Sequence, residues 1–75
     1  MDMLIVERGA NWSEWSRLTQ TLRQPVRMIF QQAGETTDEL YTRVQSRIWR
    51  ADCPMLRRIV VLGAQGTSEL TEADA

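Results

Sequence analysis

The sequence predicts an α/β domain: a short three-stranded parallel sheet in the order β-α-β-α-β, with strand order 2-1-3 and one helix on each face. Three observations predict it. Residues 3–6, 26–30 and 59–62 read as apolar runs, interrupted only by Arg27, rather than alternating ones, as suits strands buried on both faces. Two stretches between them repeat their apolar residues at helical spacing. Strands that alternate with helices imply parallel pairing and right-handed crossovers. Two helices cover both faces only from opposite sides, which puts the first strand in the centre. Residues 1–66 make up this domain, and residues 67–75 are either an acidic tail or the start of a third helix.

The first strand, Met3-Leu4-Ile5-Val6, is bounded by Gly9. Asn11 follows as a helix N-cap, with Glu14 in capping-box position. Trp15, Leu18 and Leu22 form one stripe of a helix of about three turns, which Pro25 ends. Residues 26–30 are the second strand. A turn at Ala33-Gly34-Glu35 precedes Thr36, a second N-cap whose capping box Glu39 completes. Asp38 and Glu39 sit where the helix dipole favours acids. Leu40, Tyr41, Val44, Ile48 and Ala51 share one arc, so this helix runs to about Ala51 and Pro54 prevents its continuation. Residues 59–62 are the most β-prone stretch. Thr67 or Ser68 then caps the possible third helix.

The chain of 75 residues carries a single cysteine and no histidine. An internal disulfide is excluded, and one thiol cannot build a zinc site. No cofactor is implied. A core of this size supplies only about 3–5 kcal/mol unaided, so a partner or a second copy is the remaining support. The net charge of −1 argues against nucleic acid and against membrane surfaces. No signal peptide or span of about 20 apolar residues is visible, so a cytoplasmic location is expected.

The order and texture resemble the first half of a response-regulator receiver domain, which has a flavodoxin-like fold. Met3-Leu4-Ile5-Val6-Glu7 resembles that family's first strand with its acidic end. Ala33-Gly34-Glu35 with Asp38-Glu39-Leu40 resembles its second turn and helix, and residues 59–62 resemble its third strand. The family's chemistry is not implied. Glu7 is followed by Arg8 rather than a second acid, and Leu62 and Gly63 stand where the phosphoacceptor aspartate belongs. The resemblance implies topology alone.

In open parallel sheets ligands bind beyond the carboxyl ends of the strands. Arg8, Asn11, Gly63, Gln65, Gly66, Thr67 and Ser68 fall there. Free N–H groups in the glycine loop could hold a phosphate if a helix began at Thr67, with Arg8 adding charge; otherwise these glycines only turn the chain. Arg43, Arg47 and Arg50 form a stripe on the second helix. With Arg57 and Arg58 it reads as a patch for an acidic partner or nucleic acid, or as a solvated face. Trp49 points away from the core arc and reads as an interface anchor or as a cover for the helix end. Cys53 lacks the cationic surroundings of a reactive thiol. Strand 3, through Ile59 and Val61, is expected to be an apolar sheet edge, which tends to pair with something. These features favour a non-enzymatic interaction or regulatory module, oligomeric or part of a larger assembly. The alternatives are a small-ligand or nucleotide-phosphate binder and a fragment of a longer chain.

Overall fold

The structure, a computed structural model, describes residues 1–48 and 56–70, with side chains in the second helix described as far as Gln45. Among the described residues it is α/β, with one four-stranded mixed sheet, two α-helices and a 3-10 turn. β1 (Asp2–Val6) is central, flanked in parallel by β2 (Val26–Phe30) and β3 (Arg58–Gly63). The order 2-1-3 therefore holds for the three parallel strands. A fourth strand, β4 (Gly66–Leu70), pairs antiparallel with β3 and makes the sheet order β2-β1-β3-β4.

β4 corrects two expectations. Residues read as a tail or a helix start are a strand, because Ala64 and Gln65 make a two-residue connection that folds the chain straight back, the shortest hairpin loop. Thr67 and Ser68 pair with Leu62 and Val61 instead of capping a helix. Strand 3 is consequently not an edge. Ile59 and Val61, expected there, are buried in the core, with the new strand paired alongside.

The helices lie on opposite faces of the sheet. α2 (Thr37–Ile48) presses Leu40 and Val44 against Met3, Ile5, Ile29, Ile59 and Val61. Its start is the expected capping box: the Thr36 N–H donates to Glu39 Oε1 at 3.0 Å, and the Glu39 N–H donates to Thr36 Oγ1 at 3.1 Å. On the other face, α1 (Trp15–Thr19) buries Leu18 with Leu4, Val6, Val60 and Leu62.

α1 is much shorter than three turns. A 3-10 turn at Trp12–Glu14 precedes it, and Asn11 caps that turn through the Ser13 N–H. The Asn11 N–H already donates to the Gly63 carbonyl at 2.9 Å. Glu14 therefore forms no capping box, and its carboxylate pairs with Arg17. At the far end the Thr21 N–H and hydroxyl both donate to the Leu18 carbonyl, at 2.9 and 2.8 Å. Those bonds close the helix well before Pro25, since a side chain that takes a helix carbonyl competes with the next turn. A five-residue helix is about 7.5 Å long, too short to cover one face of a four-stranded sheet.

Asp2 fixes the base of the sheet. Its fully buried carboxylate accepts from Arg57 Nε at 3.0 Å and from the other arm of the same guanidinium at 2.8 Å. It also accepts from the Arg23 N–H at 2.8 Å and from Arg58 Nε at 3.4 Å. The Arg57 guanidinium, foremost, holds the Asp2 carboxyl down at a pKa of about 2. Arg58 reaches on to the Thr21 carbonyl and hydroxyl, so this cluster joins β1, the end of α1 and β3.

Candidate functional site

Two surfaces stand out: a polar depression at the carboxyl ends of the strands, and an apolar strip along β2.

The depression holds about 290 Å³ and lies beside the β3–β4 hairpin. It collects Gly63, Gln65, Gly66, Thr67 and Ser68 of the expected ligand site, together with Glu7 and Tyr41. Glu7 ends β1, and the Tyr41 hydroxyl of α2 donates to its Oε2 at 2.8 Å. Burial, reinforced by the Glu7 carboxylate, pushes the phenol pKa well above the ordinary tyrosine value. Arg8 does not join them. Its N–H donates to the Gln31 side chain at 2.7 Å, and its guanidinium donates to the Gln32 carbonyl at 3.0 Å and to the Glu35 carbonyl. Asn11 is engaged in the 3-10 cap and in its bond to Gly63. With Gly66–Leu70 in a strand, no helix begins at Thr67 to present its N-terminus to a phosphate, and the charged side chain that lines the depression is an acid, Glu7. The geometry suits a hydrogen-bond donor or a cation better than a phosphate. Among the described residues no group of three or more acidic or thiol side chains is placed to hold a metal ion.

The arginines are divided by the structure. Arg43 donates Nε and a terminal nitrogen to the Glu35 carboxylate at 2.8 and 2.9 Å, and donates to the Phe30 carbonyl at 2.9 Å. That guanidinium, ahead of the Gln32 N–H, keeps Glu35 at a pKa of about 2. Arg57 and Arg58 belong to the Asp2 cluster. Arg43, Arg57 and Arg58 thus brace loops and strand ends. The Arg47 side chain, Trp49, Arg50 and Cys53 lie outside the described residues.

The apolar strip is the feature that sequence reasoning missed. β2 is an edge strand. Met28 and Phe30 pair with Leu4 and Val6 and so point to the α1 face, yet they are 40% and 51% exposed. The short α1 leaves them uncovered. Trp12, also 51% exposed, packs its ring at 5.2 Å from that of Trp15 and extends apolar surface from the helix. Between α1 and β2 runs a groove of about 120 Å³ floored by Leu4 and lined by Trp15, Leu22, Val26 and Met28. The signal was in the expected strand order, since 2-1-3 makes strand 2 an edge as surely as strand 3. An edge strand whose apolar side chains stay uncovered is open to pairing.

Among the described residues no helix is long and apolar enough to cross a membrane. Compared with known protein families, curated proteins and solved structures, the chain gives no match.

Proposed function

We propose that this chain is a non-catalytic protein-interaction or regulatory module that works as an oligomer or as a subunit of a larger assembly. The single observation that carries the reading is the β2 edge, where Met28 and Phe30 stand exposed beside an apolar groove. Large side chains beside a groove are the usual make-up of interface hot spots. The small core argues the same way. The receiver-like resemblance enters only as the topology of the three parallel strands. The test is the native mass of the chain purified from its own host, beside that of Met28→Lys. A complex heavier than the 8.7 kDa chain that the lysine variant loses supports the reading. A wild-type species of 8.7 kDa with no companion overturns it.

A second reading, small-ligand binding, is supported by the depression at Glu7 and Tyr41, which lies where open parallel sheets bind ligands. Titrating the chain with nucleotides, phosphorylated metabolites and polyamines while following the amides of residues 63–68 decides it. Unmoved amides at millimolar ligand reject this reading.

A further inference from the structure

We infer that the occupant of the β2 edge is a second copy of this chain, joined strand to strand in antiparallel fashion about a two-fold axis through Met28. The inference rests on the interaction reading above and names its partner.

Backbone geometry fixes which groups are on offer. The Pro25 carbonyl accepts from the Asp2 N–H, and the Gln31 N–H donates to the Val6 carbonyl. Backbone groups of a strand alternate sides at every residue. Residues 25, 27, 29 and 31 therefore face β1, and Val26, Met28 and Phe30 turn their N–H and C=O groups outward. The Phe30 carbonyl receives Arg43 there and keeps a second lone pair.

An antiparallel copy centred on Met28 uses this whole set. Met28 faces Met28, and each Val26 faces the other copy's Phe30, so all three are hydrogen-bonded pairs. Moving the axis by one residue leaves outward groups of one strand end unmatched. The side chains agree with this register. Val26, Met28 and Phe30 lie on one face, and their apolar pattern reads the same in both directions. Arg27, the only charge in β2, falls opposite Ile29 and not opposite its own counterpart.

A two-fold interface requires each copy to carry both complementary parts. Phe30 is the projection, and the groove beside Val26 and Met28 is the recess. The pairing sets the Phe30 ring of one copy over Val26 of the other, next to Trp15 and Leu22. The result is a continuous eight-stranded sheet whose free ends are the two β4 strands. Thr67, Ser68 and Glu69 are exposed there, and such polar and charged edges do not recruit further strands. The assembly therefore closes at two.

Sedimentation velocity of the purified chain over a micromolar concentration series is the first test. The expected species has twice the 8.7 kDa chain mass. Met28→Lys should weaken association by about tenfold or more, while Thr67→Lys should leave it unchanged. Circular dichroism checks that both fold. Cysteine pairs test the register and stand in if the lysine variant does not fold. In a Cys53→Ser background, Met28→Cys should cross-link to itself on oxidation. Val26→Cys should cross-link only when mixed with Phe30→Cys, because the two residues 26 lie more than about 13 Å apart in this register. A monomer at every concentration, or self-cross-linking at residue 26, overturns the inference. If the pure chain is monomeric while the host-purified complex is heavier and lost in Met28→Lys, the second copy is rejected and the interaction reading stands. If both are monomeric, both fall.

Discussion

The two edges of the sheet are built from strands of equal length and opposite character. β2 reads Val-Arg-Met-Ile-Phe and leaves two large apolar side chains in water; β4 reads Gly-Thr-Ser-Glu-Leu and shows water its polar residues. β4 is reached by a two-residue hairpin and pairs along β3 opposite Ile59 and Val61, whereas β2 is reached across the sheet and is covered on the α1 face by only five residues of helix. The difference teaches that an edge is judged by its outward side chains and its cover, and not by how apolar the strand run looks. β3 has the more apolar run and is sealed. β2 carries a charge within its run and is open.

Removing what the two flanks share gives the largest effect. The Asp2 carboxylate collects the Arg23 N–H on the way into β2 and Arg57 and Arg58 on the way into β3. Asp2→Ala should destabilise the fold by about 2–3 kcal/mol, since the arginines left behind are only partly buried. Thermal unfolding should fall by roughly 10–20 °C for a domain of this size. The same group sets an acid limit. Its pKa is 3.8 free and about 2 in the fold, so the unfolded chain takes up the proton first. The contribution is full above about pH 4 and is lost as pH falls toward 2. Glu35, held at about 2 from 4.5, acts in the same window. Denaturant midpoints between pH 6 and pH 2 should drop for the wild type and drop less for Asp2→Asn. A flat wild-type profile would show that neither flank leans on Asp2.

Making the edges alike tests the comparison directly. Glu69 is exposed on β4. Glu69→Val removes the charge that blunts this edge and adds a β-branched side chain. With apolar strips at both ends, β2 of one molecule can meet β4 of the next head to tail, a contact that does not close. Sedimentation should then show species larger than two chains, growing with concentration. A variant that behaves like the wild type would mean that charge is not what protects β4.

Most of the frame was legible in the sequence, and the misses share a cause. The three parallel strands, their order and the Thr36–Glu39 capping box follow from apolar runs, topology rules and one local motif. α1 was overestimated because helical spacing at Trp15, Leu18 and Leu22 carries no information about Thr21, whose hydroxyl closes the helix, or about Gly63, which claims the Asn11 N–H. β4 was missed because Gly-Ala-Gln-Gly can open a helix or close a hairpin, and only pairing with β3 decides between them. The site suffered accordingly. Arg8 could be placed near the strand ends, but not the carbonyls of Gln32 and Glu35 that take its guanidinium. Glu7 and Tyr41 are 34 residues apart, and only the packing of α2 brings them together.

A smaller effect is expected from the hairpin itself. Gly66 has φ of +118°, and a Cβ there would meet the Glu14 carboxylate. Gly66→Ala should cost about 1–2 kcal/mol and loosen β4 from β3. Ile59 and Val61 then begin to behave as the second apolar edge that the sequence suggested. Hydrogen exchange should rise at residues 66–70 and at their β3 partners, and stay unchanged at β2. Equal acceleration at both edges would show that the sheet opens as one unit and that its edges are not independent.

The smallest effect separates structural polar contacts from the edges altogether. The Tyr41 hydroxyl donates to Glu7 beneath the hairpin, and a lost bond to a carboxylate costs about 1 kcal/mol or somewhat more. Tyr41→Phe should lower stability by that amount and leave association unchanged, because neither β2 nor the outer side of β4 is touched. Tyr41 is the only tyrosine, so ultraviolet absorbance in alkali reports it alone. Burial and then the Glu7 carboxylate raise its pKa above the free value of 10.0. The neutral phenol is favoured in the fold, its contribution is complete below pH 10, and it is lost as pH rises beyond that, when the unfolded chain ionises first. The wild type should therefore weaken in alkali more steeply than Tyr41→Phe. A phenol that titrates at its free value would mean that the contact with Glu7 is not held in solution, and the depression beside the hairpin would be open ground for a ligand.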